Sequence, residues 1–394
     1  MTASSKLLRR LGLPTLFLLL ATFAHAQVAP VPTPLVVQDV VCAGNAHTSC
    51  DFIRDHLYLH AGDALDEDEI RNAELRMTAL RTFESVKIHL EKGAQRGAAI
   101  VVIEVTEAEP ISTESLFGAS SRRDSTRAVF AGRVAHQNLF GEGKIADLSV
   151  LAVVPVRGDS RVEAYNLTAR YIDPQLFGSS RWFGIAGVGA SRVHQENVYG
   201  NYSSLDTSQL DVRVGRRIAD FSYLTIGLRY RPDLDWTWGR WESDGAFRTM
   251  DAHPHPVRPN IAYGWSTEDD LYFPTHGSTL HVSAGDDGIP IQFRKTWSAF
   301  GGWGTLKLGG DPRPEYRGTF SESELLALTY ARTVAVGDDI KRGRWYVEPG
   351  IGFVGYAPGG RSVYEYGLKA GFRADTRLFG LVDFYVLGRK DTIR

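Results

Sequence analysis

From Pro110 to Arg394 the chain shows no convincing amphipathic helix; it reads as short runs of alternating apolar and polar residues, broken by Gly, Pro, Asn and Asp. Leu210, Val212 and Val214 face one way, and Asp211 and Arg213 the other. Leu224, Ile226, Leu228 and Tyr230 oppose Thr225, Arg229 and Arg231 in the same manner. Later, Tyr366, Leu368, Ala370 and Phe372 oppose Glu365, Lys369, Arg373 and Asp375. A period of two sustained this far can bury its apolar side only by building a large sheet. The polar side carries repeated arginines, which suits a wet lumen, and the aromatic and aliphatic side suits lipid. The expected fold class is therefore mostly β, a transmembrane antiparallel β-barrel. A soluble sandwich also alternates, but its polar face meets bulk water and its strands need not close. At roughly 18 residues per strand and turn, the stretch yields about 16 strands, or about 14 if its loops are long.

Composition agrees with this reading. Mean hydropathy is −0.19, the value of a soluble protein, yet a barrel gives the same because every second residue faces water. The 40 glycines suit tight turns, and the 19 Phe, 16 Tyr and 8 Trp suit interfacial girdles. Lysine plus arginine number 44 against 46 acidic residues, so nothing points to nucleic acid. Residues 1–26 read as an export signal: Lys6, Arg9 and Arg10, then the apolar run Leu11 to Phe23, then Ala24-His25-Ala26 as the cleavage site. That run is too short for a spanning helix of about 20 residues, and no later apolar run could act as one, so insertion has to be by strands. Cys42 and Cys50 are the two cysteines; in an exported chain they are expected to pair in one local disulfide, the alternative being two buried thiols.

Residues 27–35 are a proline-rich spacer, and residues 36–108 have a different grammar. Val36 to Val41 reads as a strand. Thr48 with Asp51 is set to cap a helix carrying Ile53, Leu57 and Tyr58 up to Gly62. Asp66 with Glu69 caps a second, with Ile70, Ala73, Met77 and Leu80 on one face. Val86, Ile88 and Leu90 alternate in a strand, and Ala99 to Val105 form another. This order, with Gly44-Asn45, Gly62-Asp63 and Arg81-Thr82-Phe83-Glu84-Ser85-Val86, resembles a POTRA domain, the small α+β periplasmic module of the BamA-type outer-membrane assembly and transport superfamily. Residues 109–394 would then be the barrel, with the change of pattern at Glu109-Pro110 as the boundary.

The barrel half carries the resemblance further. Asn138-Leu139-Phe140-Gly141-Glu142-Gly143-Lys144 and Tyr171-Ile172-Asp173-Pro174 with Leu176-Phe177-Gly178 are similar to that superfamily's early turns. Asp269 to Ser278 resembles its D-x-x-x-x-P-T-x-G-S hairpin. Leu308-Gly309-Gly310 with Tyr316-Arg317-Gly318-Thr319 resembles the lumen loop whose R-G motif anchors on an acidic wall residue. Arg317 is suited to that role because a guanidinium holds a carboxylate bidentately, and Gly318 allows the bend. Two features depart from the pattern. Thr319 stands where an aromatic is usual, and Phe353-Val354-Gly355 lacks an aspartate, which leaves Glu348 as the acidic partner.

The resemblance implies a protein of the bacterial outer membrane, with its N-terminal domain in the periplasm, that inserts or translocates unfolded outer-membrane or secreted protein clients. It implies outer-membrane lipid as surroundings, no cofactor and no nucleic acid. A passive porin is the alternative from another class. There is no G-x-S-x-G elbow, H-E-x-x-H or phosphate loop, so no enzyme is expected, and His253 and His255 read as a proline-rich loop rather than a metal site.

Overall fold

The computed structural model describes residues 35–393, apart from 123–124, 157–162, 197–199, 234, 243, 253–255, 286–290, 310–323 and 335–338. The export-signal reading, His253, His255, Arg317 and Gly318 thus lie outside the described residues.

The N-terminal part is β1 (Val36–Ala43), α1 (Cys50–Asp55), α2 (Glu67–Thr78), β2 (Phe83–Lys92) and β3 (Ala98–Glu107). Its three strands lie in the order β1-β3-β2, β3 parallel to β1 and antiparallel to β2. The apolar sides of both helices cover one face: Val37, Phe52, Ile53, Leu57, Met77, Phe83, Val101 and Ile103 are buried together. Cys42 and Cys50 form a disulfide across the loop that leads into α1. The Asp66 side chain caps α2 as the spacing predicts. α1 differs: Ser49, not Thr48, caps it, and it ends at Asp55 rather than running to Gly62. Thr48 is engaged elsewhere, its hydroxyl accepting from Asn138 and its N–H donating to Glu107 at 2.6 Å. Burial pushes the Glu107 carboxyl up, but the bonds from Thr48 and His47 outweigh it and hold it at about 2.

The rest is one closed barrel. Its strands are β4 (Ile111–Arg122), β5 (Ser125–Leu139), β6 (Lys144–Pro155), β7 (Ala164–Asp173), β8 (Trp182–Glu196) and β9 (Tyr202–Ala219). They continue through β10 (Ser222–Tyr230), β11 (Asp235–Trp241), β12 (Phe247–Ala252), β13 (Val257–Ser266), β14 (Gly277–Ala284) and β15 (Ile291–Ala299). The last are β16 (Gly302–Leu308), β17 (Glu324–Thr333), β18 (Ile340–Ala357), β19 (Arg361–Thr376) and β20 (Gly380–Ile393). β10 and β11 both pair with β9, and β13 and β12 pair with them in turn. These four are one long hairpin interrupted twice, so the wall is a closed 15-strand barrel, between the about 14 and about 16 strands that its length allows. An odd number of up-and-down strands brings the first and last together in the same direction. β20 accordingly pairs with β4 in parallel, from Leu381 with Glu114 to Arg389 with Arg122, and this one seam departs from the antiparallel expectation.

The faces fall as the alternation predicts. Leu210, Val212, Leu224, Ile226 and Leu368 are exposed on the outside, while Thr225, Glu365 and Lys369 are buried within. On the inner face, Leu116, Val129, Val153, Tyr346, Tyr385 and Leu387 form an apolar cluster.

The N-terminal module is seated on one rim, here the near rim. Ser49 N–H donates to the Gly141 carbonyl at 2.9 Å. Gln175 donates to the Asp55 carboxylate at 3.1 Å, and Arg76 and Asn72 both reach Asp220 at 2.8 Å. The Tyr58 ring is sandwiched between the guanidinium groups of Arg76 and Arg181 at 4.1 and 4.2 Å. Gly143 is needed here: a Cβ on it would lie 2.2 Å from the buried Phe52 ring. Gly143→Ala is expected to cost about 1–3 kcal/mol through overpacking, read as a lower melting temperature and freer proteolysis between residues 107 and 111.

His56 gives this seat a pH dependence. It is 2% exposed, and its Nδ1 lies 2.9 Å from the Phe52 carbonyl. Burial, aided by Arg217 and Arg76 and opposed by the Phe52 carbonyl and Asp55, holds its pKa down at about 4 against an ordinary 6.5. The folded chain therefore keeps His56 neutral, while the unfolded chain takes up a proton below about 6.5. Stability is full above that pH and falls as pH drops toward 4, by on the order of 3 kcal/mol. Thermal unfolding of the module between pH 7 and 4 is expected to show this slope, and His56→Gln to flatten it.

Candidate functional site

The seam and the near mouth of the lumen form one site. On the outer face of the seam, Phe117 and Phe384 stack with centroids 5.3 Å apart. On the inner face the Tyr385 ring lies against bare Gly118, where a Cβ would come within 2.1 Å of it. At the foot, the Thr113 hydroxyl donates to the Phe379 carbonyl at 2.9 Å.

Inside, the strands flanking the seam carry charges that bond across the sheet. Arg133 on β5 donates to Glu114 on β4 at 2.8 Å and to Asp147 on β6 at 3.0 Å. Arg170 on β7 completes the row, donating to Asp147 at 3.1 Å. On the other flank Arg373 bonds Asp383 at 2.6 and 3.0 Å, and the Tyr346 hydroxyl donates to the same carboxylate at 2.9 Å. Each pair satisfies a buried carboxylate of Glu114, Asp147 or Asp383 that would otherwise be stranded.

The segment between β13 and β14 folds into this space. Its bends are held by two aspartates: Asp269 accepts from the N–H groups of Thr275 and His276, and Asp270 from those of Tyr272 and Phe273. Burial pushes both carboxyls up, but these bonds, with Thr275 and Arg342, bring them below the usual carboxylate range. The segment then crosses to the seam side. Arg373 donates to the Tyr272 carbonyl at 3.0 Å, and Arg344 to those of Pro274 and Phe273 at 2.9 and 3.3 Å. The Tyr272 hydroxyl donates to Glu114. Arg81 of the N-terminal module lies 4.1 Å over the Tyr272 ring and 3.4 Å from Glu114. One carboxylate on the first strand of the seam thus meets the wall, the inward turn and the module. Arg81 has φ 59°, a left-handed backbone uncommon for arginine, at the residue that makes these contacts with Tyr272 and Glu114.

Of the residues singled out from sequence, Glu348 points inward from β18 and is buried, bonded by Lys307 at 2.6 Å and by the Thr329 hydroxyl. Lys307 stands at the foot of the segment that carries Arg317. Glu114, Tyr272 and Arg81 were not read from the sequence as a set, because 158 residues separate Tyr272 from Glu114. The available signal was Glu114 itself, an acid at an inward position of the first barrel strand.

No protein-family model matches this chain, and no curated protein matches it in sequence. Solved structures do. CdiB from Escherichia coli matches with TM-score 0.57 at 14% identity, over 87% of this chain and 70% of its own. CdiB from Acinetobacter baumannii matches with TM-score 0.50 at 10% identity, over 87% and 68%. BamA from Haemophilus ducreyi lacking POTRA domains 1-3 covers 91% of this chain and 83% of its own, at 12% identity and TM-score 0.43. The chain has the fold of the two CdiB barrels.

Proposed function

We propose that this chain lies in the outer membrane and inserts or translocates other proteins there, taking an extended client segment first on the edge of β2. The observation that carries this is the state of the two sheet edges in the N-terminal module. The outer edge of β1 is taken: Val37 exchanges main-chain bonds with Gly62 and Asp63, Leu65 bonds Leu35, and the Arg54 side chain takes the Val40 carbonyl. Along β2, from Phe83 to Lys92, no main-chain partner lies on the outer side among the described residues. An extended peptide can pair with such an edge at little structural cost. The module is seated so that Arg81, two residues before β2, touches the first strand of the seam. A client on β2 is thereby placed beside the lumen mouth. No nucleotide chemistry is implied; client folding or binding supplies the drive. In this reading Arg317 and Gly318 form the lumen loop, and Arg317 joins or displaces Lys307 at Glu348.

Depletion of the protein is expected to remove particular outer-membrane or secreted proteins. The wild-type chain should restore them, and a chain lacking residues 36–108 should not, although it still conducts ions in liposomes. If client assembly is untouched by that deletion, insertion and translocation both fail and a passive pore remains.

A further inference from the structure

Turns on the near rim share an unusual residue choice. Phe140-Gly141, Phe177-Gly178 and Phe300-Gly301 each place a phenylalanine at positive φ (62°, 61° and 46°), followed by a glycine also at positive φ. Phe379-Gly380 closes the last near-rim turn in the same order, with Gly380 at φ 62°. Two consecutive residues at positive φ are the central pair of a type I′ hairpin turn, where Asn-Gly is preferred because asparagine tolerates the left-handed region and a bulky side chain does not. Apart from Arg81, the positive-φ non-glycine residues among the described ones are these three phenylalanines. Their rings gain nothing from the protein's interior: Phe140 is 82% exposed, Phe177 79%, Phe300 95% and Phe379 63%. Two of these turns are braced against the N-terminal module through Gly141, Gly143, Gln175 and Ser180, but their phenylalanine rings stay exposed beside those contacts.

Phe177 packs edge-on against Trp182, which shares the outer face of β8 with exposed Val188. The Phe300 carbonyl accepts from the Tyr330 hydroxyl at 3.1 Å; Tyr330 shares the outer face of β17 with Leu326 and Leu328 and packs against Trp345. The Phe177 and Phe300 turns thus adjoin the apolar outer wall at the level where Trp and Tyr begin to replace aliphatic residues, the composition of a membrane–water boundary.

We propose that the four Phe-Gly turns are lipid anchors: their rings enter the headgroup–acyl boundary of the leaflet on the N-terminal module's side and fix the depth of the barrel. This rests on the outer-membrane reading above.

The two cysteines are paired with each other, which leaves no competing free thiol among the described residues. Single cysteines at F140C, F177C, F300C and F379C, each carrying an environment-sensitive dye, can be placed in phospholipid vesicles containing lipids brominated near the headgroup. V134C on the outer wall and R96C on the module serve as references. The four rim labels are expected to be quenched at least about threefold more strongly than the label at residue 96. If they behave like residue 96 while residue 134 reports lipid, the anchors are refuted and the barrel reading stands. If residue 134 also reports water, the outer-membrane reading fails first. A second variant, F140N/F177N/F300N, places the residue the turns prefer. It is expected to fold in detergent as well as wild type but to enter vesicles at least about tenfold more slowly; an unchanged rate would overturn the proposal.

Discussion

Glu114→Ala is expected to be among the most damaging single changes in the barrel, costing about 3–5 kcal/mol. The carboxylate is buried at 6% exposure and is the shared acceptor of Arg133, Arg81 and the Tyr272 hydroxyl. Removing it leaves Arg133 with only Asp147, which Arg170 already engages, so the inner face of β4 to β7 carries uncompensated positive charge. The inward turn loses its bond to the first strand at the same time. Arg81→Ala provides the contrast. That side chain is partly exposed, so its loss should cost about 1 kcal/mol of stability, while the contact between module and seam is lost as fully as in Glu114→Ala. If this contact passes client capture on β2 to the seam, client assembly should fall in both variants, whereas the unfolding midpoint falls strongly only in Glu114→Ala. Wild-type assembly by Arg81→Ala would show that the contact is a structural brace and no more.

Much of this architecture was legible in the sequence because it is written with a local period. The opposition of Glu365, Lys369, Arg373 and Asp375 to Tyr366, Leu368, Ala370 and Phe372 places each residue on the correct side of β19 without knowledge of its partners. What the sequence left open is non-local. The length of the stretch bounds the strand count at about 14 to 16 but does not fix whether it is odd, and Arg231-Pro232-Asp233 interrupts a strand as a hairpin turn would, yet the chain resumes beside the same partner. Whether the seam is parallel follows from that parity, so it could not be read either. Asp269 to Ser278 was recognisable as a turn from its aspartates and proline, but its crossing of the lumen depends on Arg344 and Arg373, about 70 and 100 residues on. Thr48 lost its capping role to Ser49 for a similar reason, because Asn138 of the barrel claims its hydroxyl.

That parity bears on how a client can use the seam, and a disulfide across it is expected to separate insertion from translocation. β4 and β20 both run away from the near rim, so a single strand entering between them can pair antiparallel with each, restoring strict alternation around the wall. An antiparallel seam would force such a strand to be parallel to one neighbour. Opening the nine paired positions from Leu381–Glu114 to Arg389–Arg122 without an incoming strand would leave two bare edges in lipid, where each unpaired N–H or C=O costs several kcal/mol. A client strand removes that cost by supplying the missing partners, and this is what would make the seam a place of insertion rather than a weak joint. Ala119 and Val386 are register partners on the outer face. Adjacent strands lie about 4.8 Å apart, close to the Cα separation of about 4.4–6.8 Å that a disulfide accepts. Oxidised A119C/V386C should therefore fold, and Cys42 and Cys50, being already paired, should not interfere. If clients leave sideways, the locked barrel should insert them at least about tenfold less, with recovery on reduction beside a wild-type control treated alike. If clients cross through the lumen, the lock should leave their export unchanged while Glu114→Ala and Arg81→Ala still impair it.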